Sequence, residues 1–191
     1  YDRVPTIVVG KGEHQIDAEY LNIFSATNIV GDPGVARKDI VIMGGIGIKK
    51  GIQGNCHLQH LTLRQAEWHG VWGCSSFTME DVVVKQCNGD GVYASGTGVV
   101  GRCTNIEVRQ CRGNGVFAAD GASITLIGDK TTVHDNCTAR YMNDYGLTVW
   151  NSTIQLVSPL TKEIVSTDNG GGGNWGAKYG GNINQIKTIT E

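Results

Sequence analysis

The chain has 191 residues, about one domain's worth, and 28 of them are glycine, roughly twice ordinary usage. With 40% hydrophobic and 18% charged residues it is neither a disordered tail nor a charge-driven binder, and a formal net charge of −2 gives no bulk attraction to nucleic acid or to an anionic membrane. The glycines have no three-residue period, which excludes collagen, and no apolar run approaches the roughly 18 residues that span a bilayer.

The opening Tyr1-Asp2-Arg3-Val4-Pro5 has neither Met nor an apolar signal core. The chain is therefore expected to be trimmed from something longer or processed, and its localisation, extracellular or cytoplasmic, stays open. Six cysteines at 56, 74, 87, 103, 111 and 137 form no CxxC pair, which argues against a zinc site or a redox motif. Two glycosylation triplets, Asn136-Cys137-Thr138 and Asn151-Ser152-Thr153, matter only in a secreted chain.

From residue 56 the sequence repeats. Gly, an aliphatic residue and a third residue recur as Gly70-Val71-Trp72, Gly91-Val92-Tyr93, Gly115-Val116-Phe117 and Gly146-Leu147-Thr148, at spacings of 21, 24 and 31 residues. Each is preceded by a second motif: Leu61-Thr62-Leu63-Arg64-Gln65, Val82-Val83-Val84-Lys85-Gln86, Ile106-Glu107-Val108-Arg109-Gln110 and, more loosely, Thr131-Thr132-Val133-His134-Asp135. In the first three copies the step from Leu63, Val84 or Val108 to the glycine is always seven residues.

Short period-two segments, polar turns and no long helical periodicity imply that each repeat is one coil of a solenoid whose coils stack about 4.8 Å apart. The fold class is all-β: a single-stranded parallel β-helix of roughly seven to eight coils, with the right hand that the crossover rule prescribes. Leu61, Leu63, Val82, Val84, Ile106 and Val108 face the core, as do Val71, Val92, Val116 and Leu147. The glycine before each of these strands serves a corner that needs positive φ or close backbone approach.

One domain covers 1–191: N-terminal coils over 1–55, regular repeats over 56–150, and an irregular final coil over 151–191. Thr138 to Tyr145 is an insertion, Asn169 to Gly176 reads as a flexible loop, and Ile183 to Ile189 as a closing strand. The open ends of such a stack invite edge pairing, so a cover is expected at both.

These repeats resemble the pectin-lyase-like superfamily of parallel β-helix repeats, including carbohydrate-binding and sugar-hydrolase β-helices. Thr6 to His14 is similar to the opening coil of such domains, and Asn28-Ile29-Val30-Gly31-Asp32 with Asp39-Ile40-Val41-Ile42 to the second. The resemblance implies the fold strongly and the function weakly, since enzymes and binding modules share it. The dense acidic signatures of the superfamily's lyases, hydrolases and epimerases are absent: Asp32-Pro33 is followed by Gly34.

Stacking turns equivalent positions into columns. Trp72, Tyr93 and Phe117, continued by Thr148, are expected to face outward, either as a platform for sugar rings or a partner protein, or beneath a covering loop. Arg64, Lys85, Arg109 and His134 form a basic column, read either as a solvated face paired to Glu67, Asp90, Asp120 and Glu107 or as a groove for an anionic chain. Gln65, Gln86, Gln110 and Asp135 read as a structural amide ladder, and Cys87 and Cys111 as stacked small apolar residues below Ala66.

The turns Glu67-Trp68-His69, Asn88-Gly89-Asp90, Arg112-Gly113-Asn114 and Asn143-Asp144-Tyr145 place carboxylates, an imidazole and a phenol on neighbouring coils. His69, Asp90, Asp144 and Tyr145 are therefore the candidates for acid–base work on a sugar. His57 and His60 lack a third ligand, so no metal is read from them, and no cofactor is expected.

The leading expectation is non-catalytic recognition of a polysaccharide or a protein along Trp72, Tyr93 and Phe117, with Arg64, Lys85 and Arg109 adding charge. The alternatives are a polysaccharide lyase, epimerase or hydrolase, and a structural spacer.

Overall fold

The computed structural model describes residues 3–191; Tyr1 and Asp2, part of the opening segment discussed above, lie outside the described residues. Among the described residues eighteen strands wind into a parallel β-solenoid of about seven turns, with three sheet faces joined by corners. The first face stacks β1 (Thr6–Val9), β3 (Asn28–Gly31), the leading halves of β5 (Cys56–Arg64) and β7 (Phe77–Lys85), then β9 (Val100–Thr104), β12 (Ser123–Ile127), β15 (Thr153–Val157) and β18 (Ile186–Ile189).

The second face stacks the leading halves of β2 (Gly12–Ile23) and β4 (Ile40–Ile48), the trailing halves of β5 and β7, then β10 (Glu107–Arg109), β13 (Thr132–His134) and β16 (Ser166–Thr167). The third stacks the trailing halves of β2 and β4, then β6 (Val71–Gly73), β8 (Val92–Ser95), β11 (Val116–Ala119), β14 (Tyr145–Trp150) and β17 (Gly173–Ala177).

Period-two alternation sends one aliphatic column inward from each face. Leu58, Met79, Cys103, Leu126 and Leu156 stack on the first, Ile42, Leu63, Val84, Val108 and Val133 on the second, and Ile46, Val71, Val92, Val116 and Leu147 on the third. All are buried in one core. Phe77 is the largest fully buried side chain, and it fits because Gly73 and Gly101 leave room for its ring: a Cβ on Gly101 would lie 2.7 Å from it.

The corners divide the work that one glycine was expected to do. Gln65, Gln86, Gln110 and Asp135 hold the left-handed conformation, with φ between 54° and 58°, while Gly70, Gly91, Gly115 and Gly146 provide close approach. A Cβ on Gly70 would meet the Gly91 carbonyl oxygen at 2.7 Å. The glutamine side chains are exposed, so the column is structural through the backbone it shapes rather than through the expected amide ladder.

Ala66, Cys87 and Cys111 stack fully buried, with both thiols free, and Asn136 takes the next place. Its Oδ1 accepts from the Cys111 N–H at 3.1 Å and its Nδ2 donates to the Val108 carbonyl at 2.9 Å. That burial removes Asn136 from use as a glycosylation acceptor; Asn151 is exposed.

A strap of residues 32–39 crosses the second face. Arg37 pairs with Asp81 at 2.7 Å, and its carbonyl accepts from the Thr62 hydroxyl at 2.9 Å. The His60 imidazole bridges the Val35 carbonyl at 2.7 Å and the Asp81 carboxylate at 2.6 Å. Thr62 and Val83 point outward in register, yet both are buried.

The last coil is more regular than the sequence implies. Gly173–Ala177 is strand β17, paired with β14, rather than a loop, and only Ile186–Ile189 of the expected closing segment is strand. The helix α1 (Lys162–Val165) buries Val165 beside Leu160 at that end. Among the described residues nothing covers the other end: Ile7, in line with the core residue Ile29, is 51% exposed and Val8 is 65% exposed.

Candidate binding site

The aromatic column forms in the expected register on the third face: Gly47, Trp72, Tyr93, Phe117, Thr148 and Gly176. Of the two readings offered for it, the open platform fails and the covered column holds. Trp72 and Tyr93 are half-buried, Phe117 is 8% exposed and Thr148 is fully buried. The cover comes from residues that the repeat does not announce.

Tyr20 lies over Gly45 and Gly47, with its ring centroid 5.6 Å from that of Trp72. The Tyr145 ring occupies the space that a side chain on Gly176 would take. Lys49 sits 5.3 Å over the Trp72 ring and Lys178 5.0 Å over Phe117. Tyr93 stacks between His69 at 5.0 Å and Phe117 at 5.1 Å. The column is a packed seam; among the described residues its Trp72 Nε1 is the only buried side-chain N or O atom without a hydrogen-bond partner.

The residue before each corner glycine builds a wall along this seam. The Tyr20 hydroxyl accepts from the His69 N–H at 3.1 Å, and His69 Nδ1 accepts from the Asp90 N–H at 3.0 Å. Asp90 Oδ1 accepts from the Asn114 N–H at 2.7 Å, and Asn114 Oδ1 accepts from the Tyr145 N–H at 3.0 Å. Each side chain thus fixes the backbone of the next coil. Asn114 adds two bonds, from its Nδ2 to Asp90 Oδ1 at 2.7 Å and from the Thr148 hydroxyl to its Oδ1 at 2.6 Å.

Three of the four acid–base candidates, His69, Asp90 and Tyr145, therefore belong to this ladder. Burial pushes the Asp90 carboxyl up and the His69 imidazole down, although the two groups meet at 3.3 Å and each favours the other's charged form. Burial also raises the Tyr20 phenol to about 12. The fourth candidate, Asp144, is held by Lys178 at 2.7 Å, with both side chains mostly buried.

Outside the wall lies a cleft of about 580 Å³, lined by Glu67, Trp68, His69, Asn88, Gly89, Arg112, Gly113, Ala139, Tyr141 and Asp144. Trp68 is 54% exposed and Tyr141, on the insertion, is 66% exposed. These two rings give this cleft the accessible aromatic surface that was expected at Trp72 and Phe117; Phe24 and Tyr179 are exposed elsewhere. The available signal was position: Trp68 lies in a polar turn, where an indole has no core to enter.

A second cleft of about 630 Å³ flanks the other side of the third face, between Lys50–Gly54 and Ser95–Val99, and contains Cys74, Ser75 and Asp120. Its wall is tied by the Ser95 hydroxyl donating to Asp120 at 2.8 Å.

The basic column also forms in register: Arg64, Lys85, Arg109 and His134 on the second face, apart from the aromatic seam. Of the expected counter-charges Glu107 pairs with the column, whereas the turn carboxylates Glu67, Asp90 and Asp120 do not. Arg64 pairs with Glu13, Arg109 with Glu107 at 2.9 Å, and His134 with Asp135 at 2.7 Å and Glu107 at 3.3 Å. Among the described residues Lys85 has no carboxylate partner, and burial, then Arg109 and Arg64, pull its ammonium pKa down. His57 bonds Thr78 at 2.7 Å and Gln59 at 3.3 Å, while His60 belongs to the strap.

No protein-family model matches the chain, and searches of curated proteins and of solved structures return no significant match.

Proposed function

We propose that this solenoid is a relative of the pectin-lyase-like repeat domains and that it recognises a glycan in the cleft between Trp68 and Tyr141. The carrying observation is the pair of exposed rings on a cleft whose polar wall includes Glu67, His69, Asn88 and Arg112. An indole and a phenol offer flat apolar faces to sugar C–H groups, and their neighbours supply hydrogen-bond donors and acceptors for hydroxyls. The proposal moves recognition from the Trp72–Tyr93–Phe117 seam to the cleft outside it; the seam acts as support.

Non-catalytic binding is the reading these contacts support best. Asp90 is buried under two bonds from Asn114, and Asp144 is neutralised by Lys178, so both carboxylates are occupied by the fold. The second reading, a polysaccharide lyase, epimerase or hydrolase, rests on His69 and Asp90 meeting at the wall of the cleft.

Retention on immobilised neutral and acidic polysaccharides, measured together with polymer size, tests both. Retention that Trp68→Ala and Tyr141→Ala each reduce, with polymer size unchanged, is the expected result. A fall in polymer size would put the enzyme first, and retention by neither wild type nor variants would end both readings.

A further inference from the structure

The ladder that fixes the turns also fixes a tautomer. His69 Nδ1 accepts the Asp90 N–H at 3.0 Å, as Asp90 Oδ1 and Asn114 Oδ1 accept the N–H of the coil after each. An imidazole nitrogen that accepts a backbone N–H carries no proton of its own, so in the neutral ring the proton resides on Nε2. Among the described residues Nε2 has no hydrogen-bond partner, and it is not a buried unpartnered atom, so it is open to solvent on a side chain that lines the cleft. Gly89 lies beside the ring and leaves room for it: a Cβ there would lie 2.9 Å from Nδ1, so a side chain at this position would displace the imidazole.

Resting on the glycan reading of the cleft, we infer that His69 is its specificity residue: a fixed Nε2–H donor that takes a hydroxyl or ring oxygen of an uncharged sugar lying between Trp68 and Tyr141. The charges around the donor favour a neutral ligand. Asp90 stands 3.3 Å from Nδ1 and Glu67 lines the same cleft, while Asp144 and Lys178 neutralise each other at 2.7 Å. Arg112 is the cation left on the lining. A uronate carboxylate placed at Nε2 would meet this acidic surround, whereas a hydroxyl oxygen accepts the bond without that repulsion.

The chain contains its own control. Asn114 shows that an asparagine at this ladder position accepts the next coil's N–H through Oδ1. His69→Asn therefore keeps the ladder and deletes the Nε2 donor, while Gly89→Ala displaces the ring. Wild type and His69→Asn are titrated with xylan, mannan and glucan oligosaccharides and with oligogalacturonate of equal length, and thermal unfolding is recorded for each. Wild type binds a neutral oligosaccharide in preference to oligogalacturonate. His69→Asn binds it about three- to tenfold more weakly, the effect of one lost neutral hydrogen bond, with its melting temperature close to wild type.

Nitrogen chemical shifts of wild-type His69 at neutral pH show Nε2 protonated and Nδ1 bare. A protonated Nδ1 in the neutral ring, unchanged affinity in His69→Asn, or preference for oligogalacturonate would each overturn the inference while leaving the cleft reading in place if Trp68→Ala still loses binding. Binding of none of the four oligosaccharides would overturn both.

Discussion

Replacing Asn114 by alanine strikes the ladder at its most connected rung. Asn114 is 2% exposed; its Nδ2 donates to Asp90, and its Oδ1 accepts from the Tyr145 N–H and the Thr148 hydroxyl. Alanine keeps the backbone bond from residue 114 to Asp90 and removes the other three. The stranded partners are buried or half-buried, so each lost bond costs about 1–2 kcal/mol, and the three together about 3–6 kcal/mol. For a domain of this size that lowers the melting temperature by about 6–24 °C. Chemical denaturation of wild type and Asn114→Ala measures the difference, with the exposed Asn88→Ala, in a neighbouring coil's turn, as a control expected within about 0.5 kcal/mol of wild type. A loss below about 1 kcal/mol for Asn114→Ala would show that water replaces the side chain and that the ladder does not hold the turns.

Three further outcomes follow from the same structure. Gly73→Ala drives a methyl into the Phe77 ring and costs about 1–3 kcal/mol, and Phe77→Leu relieves part of that cost; equal losses in both backgrounds would refute the packing argument. The Val35 carbonyl and then Asp81 raise the His60 pKa, so the strap's contribution is complete below the unfolded value of about 6.5 and is lost as pH rises through the higher folded value. The stability gap between wild type and His60→Gln is therefore wider at pH 5.5 than at pH 9 by denaturant titration, and a gap that widens with pH contradicts the bonding assigned to His60. Burial pushes the Cys103 and Cys137 thiols to about 12, and Cys74 is the one cysteine that is not buried. A thiol reagent at pH 8 thus modifies Cys74 first in native protein, and early labelling of Cys103 would mean that the core opens more readily than its packing implies.

The inward columns were legible because burial on a strand leaves a period of two, and three copies in one register fixed how the coils stack. Arg64, Lys85 and Arg109 fell into line for the same reason. What stayed hidden depends on residues outside the repeat. Tyr20 and Tyr145 cover the aromatic column because Gly47 and Gly176 leave gaps for their rings, and nothing near Trp72 or Phe117 in sequence foretells that. The ladder was hidden differently: His69, Asp90 and Asn114 share an ability to accept a hydrogen bond but no repeated residue. The left-handed corners sit on Gln65, Gln86 and Gln110, whose side chains give no hint of positive φ, while the glycines that do hint at it meet a different need.

The central claim is that the cleft at Trp68 and Tyr141 is the recognition surface. The chain has four tryptophans, so its indole N–H groups give four signals in a nitrogen–proton correlation spectrum. Titration with the best-retained neutral oligosaccharide should shift the Trp68 signal first and furthest, leaving Trp150 and Trp175 in place. Movement of Trp150 or Trp175 with Trp68 unmoved would contradict the account and place recognition elsewhere on the solenoid.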